Sequence, residues 1–205
     1  MPLQNRVTPQ GDIVAVPERG AFMGNRGILH DEHRQLGARR WALKAWLICR
    51  LEFRGRHREV MTPRRYTELF FFDEAAAIAA GHRPCCECRR DAFLAWQAAW
   101  RMAHSPDTPP RAREIDAQLH TERIVPRTRR QQRWQTRFDS LPDGTFVARE
   151  TGPCLVLDGG LHGWSWRGYG PPSPCAADET VTVLTPPASV AVLQAGYRPS
   201  INITC

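Results

Sequence analysis

Hydrophobic positions fall into two textures along the chain. Up to about residue 140, short apolar runs alternate with stretches of helical period; from Leu141 onward, short apolar runs are broken by Gly and Pro. Ile13-Val14-Ala15-Val16 reads as a strand, followed by a Pro17-Glu18-Arg19-Gly20 turn, then Ala21-Phe22-Met23 and the loop Gly24-Asn25-Arg26-Gly27. The stretch Trp41 to Phe53 is rich in Trp, Leu and Ile and ends at Arg54-Gly55-Arg56. It predicts one arm of a β-hairpin, with Glu59-Val60-Met61 returning. Tyr66 to Phe72 predicts a buried strand. Asp73 then supplies an N-cap, Glu74 suits the helix dipole, and Ala75 to Ala80 form a short helix closed by Gly81.

Phe93, Trp96, Trp100 and Ala103 recur at helical spacing and predict one apolar helix face, with the Trp pair in the core rather than as a base-stacking platform. The proline-rich stretch Ser105 to Pro110 is a break, and 111–124 reads as a helix with Ala112, Ile115 and Leu119 on one side. Short strands follow at Thr145–Ala148, Leu155–Leu157, Trp164–Trp166 and Val181–Leu184. The expected fold is α+β. A zinc-knuckle-containing N-terminal part (1–104) carries a β-hairpin and short helices, a Pro break and basic helical segment spans 105–140, and a small β-rich part spans 141–205. A faint internal echo links the two ends: a strand and helix ending Ala80-Gly81-His82-Arg83-Pro84, and another ending Ala195-Gly196-Tyr197-Arg198-Pro199. The second copy has no cysteine pair.

Charge sharpens this division. Residues 1–140 hold 25 basic and 16 acidic residues, a net +9, whereas 141–205 hold 3 and 5, a net −2. Lys44 is the only lysine. A GC-rich genome favours arginine together with Ala, Pro and Gly, but it does not explain the uneven placement. Arginine's planar fork suits phosphates and stacked bases. Arg127, Arg129, Arg130, Arg133 and Arg137 surround Trp134 without an acidic residue among them. No apolar run approaches the roughly 18 residues of a membrane span, and the first residues lack the shape of a signal peptide. A cytoplasmic chain with reduced thiols is expected, with no membrane partner.

Among 7 cysteines, Cys85 and Cys88 form a C-x2-C pair after Arg83-Pro84. Two thiolates three residues apart can reach one tetrahedral ion, so the pair predicts a Zn2+ site. Cys49 is the expected third ligand, on a strand beside the one that precedes the knuckle; it also reads as a buried apolar thiol. His30, His33, His57, His82 and His120 are further ligand candidates.

The run Ala79-Ala80-Gly81-His82-Arg83-Pro84-Cys85-Cys86-Glu87-Cys88-Arg89-Arg90-Asp91, with Asp73-Glu74-Ala75 upstream, resembles the second half of the Ada-type methylphosphotriester zinc domain over about residues 68–92. That resemblance implies zinc held by cysteines, with Cys85 and Cys88 as ligands, and contact with DNA. The family's upstream C-x3-C has no counterpart, so its methyl-accepting cysteine is not carried over. The chain also resembles a widespread group of bacterial proteins with Tyr66-Thr67-Glu68-Leu69-Phe70-Phe71 and Gly81-His82-Arg83-Pro84-Cys85 near the middle, from which no activity follows.

A second reading comes from the zinc deaminases, whose H-x-E and P-C-x-x-C are matched in letters by His57-Arg58-Glu59 and Pro84-Cys85-Cys86-Glu87-Cys88. Zinc would then sit on His57, Cys85 and Cys88, with Glu59 shuttling protons. The context differs: H-x-E falls in an Arg-rich turn rather than a helix. A third reading is an interaction module in which zinc only stabilises the fold. The nucleic-acid reading, DNA before RNA, rests on Arg83, Arg89 and Arg90 around the knuckle and on Arg129, Arg130 and Arg133; a solvated, salt-bridged surface would look the same. Gly24-Asn25-Arg26-Gly27 reads first as a turn. It could cradle an anion, although it is not a P-loop.

Overall fold

The computed structural model describes residues 1–55, 59–105 and 108–203. The chain is α+β, built on two six-stranded sheets. The first is formed by β1 (Arg6–Val7), β2 (Ile13–Val14), β3 (Phe22–Asn25), β4 (Leu47–Cys49), β5 (Leu69–Phe71) and β6 (Arg83–Pro84), in the order β2-β1-β5-β3-β4-β6. The β1/β5 and β4/β6 pairs are parallel and the rest antiparallel. The second sheet is antiparallel throughout, with β7 (Trp134–Arg137), β8 (Phe146–Arg149), β9 (Gly152–Leu157), β10 (Gly160–Ser165), β11 (Gly168–Ser173) and β12 (Thr180–Val183) in the order β11-β10-β9-β8-β12-β7.

Helix α1 (Glu74–Ala79) lies between the sheets, and every one of its residues is buried. Its alanine run explains why: methyl side chains let backbone approach from both sides. Ala77 and Ile78 join the core of the first sheet, whereas Ala75, Ala76 and Ala79 pack with Phe146 and Leu155 of the second and with Leu184 just past β12. Asp73 caps the helix, its carboxylate accepting the Ala76 N–H at 2.8 Å. Helix α2 (Arg90–His104) buries Phe93, Trp96, Ala99 and Trp100, and α3 (Ala112–Arg123) buries Ile115 and Leu119, as their spacing predicts. Helix α4 (Pro187–Gln194) packs on both α2 and α3, and Ala188, Val192 and Leu193 share one core with Val7, Phe71 and Trp96.

Two expectations are corrected. The hairpin between 41–53 and 59–61 does not form; the hairpin of this part is β1–β2. Strand β4 instead takes β3 on one side and β6 on the other. Met61 has left-handed backbone (φ 57°) and gives its N–H to the Glu68 carboxylate at 2.7 Å, so residues 59–61 do not run extended beside β4. Strand β11, in Gly168-Tyr-Gly-Pro-Pro-Ser173, was not expected. Its prolines are tolerated because it is an edge strand, where no second neighbour needs their missing N–H.

The internal echo is a shared way of ending a helix. After α1, the Gly81 N–H bonds Ile78 O and the His82 N–H bonds Ala77 O; after α4, the Gly196 N–H bonds Leu193 O and the Tyr197 N–H bonds Val192 O. Both glycines have positive φ, 84° and 103°. Their surroundings differ. A β-carbon on Gly81 would lie 2.6 Å from Arg123 Cδ, whereas one on Gly196 meets nothing within 4 Å. Gly196→Ala should therefore lose only the left-handed backbone term of about 1–2 kcal/mol. Gly81→Ala should lose distinctly more, with urea unfolding midpoints giving the order.

Candidate metal centre

The β4/β6 ladder assembles the cysteines. The Arg83 N–H donates to Trp46 O at 3.1 Å and the Cys85 N–H to Ile48 O at 3.0 Å, which brings Cys85 alongside Cys49 at the end of β4. The chain then folds back, with the Arg89 N–H on Cys85 O at 3.2 Å, and α2 begins at Arg90. This turn returns Cys88 to the same place. The Sγ atoms of Cys49, Cys85 and Cys88 lie within 4.8 Å of one another, and all three residues are buried. A tetrahedral Zn–S length of about 2.3 Å sets sulfurs about 3.8 Å apart, so the cluster needs little adjustment to close on an ion. Met23, Leu47 and Phe53 pack against it.

Backbone amides support negative sulfur. The Glu87 N–H reaches Cys85 Sγ at 3.4 Å, the Cys88 N–H also bonds Cys85, and the Arg50 N–H bonds Cys88. Hydrogen bonds from the Cys49 and Cys88 thiols pull the Cys85 pKa down. Cys49 is pushed up, first by its hydrogen bond to Cys85, then by that to Cys88 and by burial. At Cys88 the bond with Cys49 pulls down, but the bond with Cys85 and burial outweigh it, and the thiol lies above its usual value. A divalent cation would let all three ionise.

The other candidate ligands are occupied elsewhere. His30 bonds Thr67 Oγ1 at 2.7 Å and Thr62 O at 3.2 Å. His82 is enclosed by Trp46 and Phe71, with ring centroids at 5.1 and 4.6 Å. His120 sits against Trp41 and Arg123, and His33 is exposed beside Glu32. His57 lies outside the described residues, and Glu59 pairs with Arg34 at the surface. Among the described residues, no His, Asp or Glu joins the three cysteines within the same distance. Cys86, between two of them, is exposed.

All three cysteines line a cavity of about 650 Å³, whose wall also carries Arg50, Tyr66, Glu68 and Glu87. Glu68 is buried. One of its carboxylate oxygens accepts the Met61 N–H; the other has no hydrogen-bond partner among the described residues. The sequence held one signal for it, a lone charge inside the apolar run Thr67 to Phe72. No protein-family model, curated protein or solved structure matches the chain.

The arginines divide into two groups. Arg83 is buried and bidentate to Asp116 of α3, with Nε to Oδ1 at 2.8 Å and Nη2 to Oδ2 at 2.7 Å. Arg89 is bidentate to Glu74 at 2.7 and 2.9 Å. Both therefore fasten the knuckle to its surroundings. Arg90, Arg129, Arg130 and Arg133 are exposed and have no ion pair among the described residues.

Burial, then Arg26 and Arg123, holds the His82 pKa well below 6.5. Below pH 6.5 the unfolded chain takes up a proton that the folded chain refuses, so this residue's contribution to stability falls as pH drops. The slope approaches 1.4 kcal/mol per pH unit. His120, also lowered by burial and by Arg123, adds to it. Urea unfolding between pH 7 and 5 should show stability declining, and His82→Gln should flatten that decline relative to its own value at pH 7.

Proposed function

We propose that the protein binds one zinc ion through Cys49, Cys85 and Cys88, with the fourth side of the ion turned toward the neighbouring cavity. The observation that carries this reading is the meeting of three buried sulfurs at the ends of two parallel strands, on the wall of that cavity. Thiolate ligands and tetrahedral spacing suit zinc, and three protein ligands with an open position are the arrangement in which zinc accepts and polarises a small ligand. The protein residues contribute the rest: amide donors stabilise the sulfurs, Met23, Leu47 and Phe53 pack against them, and the buried Glu68 belongs to the wall of the same cavity.

Purified protein should contain one zinc per chain, identified by anomalous scattering or by elemental analysis. Cys49→Ser, Cys85→Ser and Cys88→Ser should each lose it. Cobalt substitution should give thiolate charge-transfer bands that shift on adding a small exogenous thiol. Bands indifferent to that thiol would show a closed, structural site, and a metal-free protein would end the proposal.

A second reading is association with nucleic acid, DNA before RNA. It is favoured by one observation: Arg90, Arg129, Arg130 and Arg133 are exposed and have no ion pair among the described residues, whereas Arg83 and Arg89 are paired with Asp116 and Glu74. Each phosphate neutralised releases counterions, so affinity for a DNA duplex should fall steeply with salt. Replacing Arg129, Arg130 and Arg133 together by Gln should lower both the affinity and the salt slope by about three phosphate contacts. Binding that is absent, or insensitive to salt, refutes it.

A further inference from the structure

A second cavity, of about 730 Å³, has no share in the cysteine cluster. Its wall carries Arg26, Arg40, Arg123, Arg129, Arg130 and Arg133 against a single carboxylate among the described residues, the exposed Asp12. Two of these arginines are shut away from water: Arg26 is 2% exposed and Arg123 is 1% exposed. Neither has an ion pair among the described residues. Arg26 gives Nη1 to Gly11 O at 3.0 Å and Nε to His82 Nε2 at 3.3 Å, and its Nη2 has no partner. Arg123 gives Nη1 to Gly81 O at 2.7 Å and Nη2 to Lys44 O at 2.6 Å, and its Nε has none. Both guanidinium carbons lie over the Trp46 ring, at 4.0 and 3.9 Å from its centroid.

The bonding is otherwise neutral. His82 accepts from Arg26 through Nε2, so its other ring nitrogen is the donor, turned toward the backbone of Ala77 and Ala80. Backbone carbonyls and an indole face hold the two cations in place, but none of them carries a countercharge. Buried charges in folded proteins are ordinarily paired, because an unpaired one forfeits its hydration. Burial drives both guanidinium pKa values down to about 9, and the opposing pull of Asp12 on Arg26 and of Asp116 on Arg123 does not offset it. Four further arginines on the same wall add to the positive potential, and a concave low-dielectric wall focuses it.

We propose that this cavity is a phosphate site, taking the dianion either free or as the terminal group of a small phosphomonoester. Arginine forks bind phosphate oxygens in pairs, and the exposed Arg129, Arg130 and Arg133 supply forks that can reach inward. Arg26 and Arg123 form the buried positive floor. Gly24-Asn25-Arg26-Gly27 thus contributes through the Arg26 side chain; the loop expected there is half strand, Gly24 and Asn25 being paired in β3, so its backbone does not cradle an anion. A volume of about 730 Å³ exceeds what inorganic phosphate fills and lies in the range of small-molecule sites.

The test is thermal unfolding of the full chain titrated with inorganic phosphate and, separately, with ribose 5-phosphate, each against sodium chloride at matched ionic strength. The expected result is a saturable rise in melting temperature. The double variant Arg130→Gln/Arg133→Gln, both exposed positions that the fold does not need, should weaken the midpoint by about tenfold. Arg26→Gln should remove the effect if it folds, and Arg101→Gln, exposed on α2, should leave it unchanged. Comparing parent with variants subtracts the general stabilisation that phosphate gives any protein. Equal midpoints for the two probes identify free phosphate as sufficient; a tighter midpoint for the sugar phosphate identifies a monoester. Shifts no larger in the parent than in the double variant overturn the proposal. So does a DNA oligonucleotide that loses affinity in the double variant while neither probe acts. Because the readout is anion-induced stability, loss of zinc binding in the cysteine variants leaves this result standing.

Discussion

Two carboxylates stand side by side at the start of α1, and both are buried. Asp73 takes the Ala76 N–H, the Tyr169 hydroxyl and the Asn202 N–H; Glu74 takes both Arg89 nitrogens, the Tyr197 hydroxyl and the Ser200 N–H. Removing a carboxylate from water costs several kcal/mol, offset only when its lone pairs are filled. Here they are filled by groups from the knuckle, from edge strand β11 and from the segment after α4. Apart from Ala76, every one of these donors lies 15 or more residues away in sequence. The fold therefore has to close around α1 as a unit, and the position of the cysteine turn is set by an ion pair one residue beyond Cys88.

That dependence explains what could be read from residue order. The cap at Asp73, the helix stop at Gly81, the apolar faces of α2 and α3 and the C-x2-C pair are local, written within a few residues of where they act. Cys49 was accessible because its strand and the knuckle share one sheet, although the expected hairpin gave the wrong neighbours: β4 pairs with β3 and β6. Strand β11 was invisible because Gly-Tyr-Gly-Pro-Pro-Ser carries the composition of a turn, and only its edge position makes it a strand.

The arginines show the same limit from the other side. Composition made Arg83 and Arg89 equivalent to Arg90, Arg129, Arg130 and Arg133. Burial separates them, since Asp116 and Glu74 lie 33 and 15 residues away from their partners. Likewise nothing in the letters around Arg26, Trp46 or Arg123 announces that they meet. Charge counts report how much positive potential a chain holds; topology decides which part of it faces outward.

The parallel pair β4/β6 has a bearing beyond placing the cysteines. Trp46 and His82 stand at one end of these two short strands, among the buried arginines, and Cys49 and Cys85 stand at the other. At about 3.3 Å per residue, the three steps from Trp46 to Cys49 separate the two ends by about 10 Å. Because one register joins both ends, a slip of either strand along the other would unseat the cysteines and part Trp46 from His82 at the same time. Two strands of two and three residues thus fix how far a cationic pocket stands from a thiolate cluster.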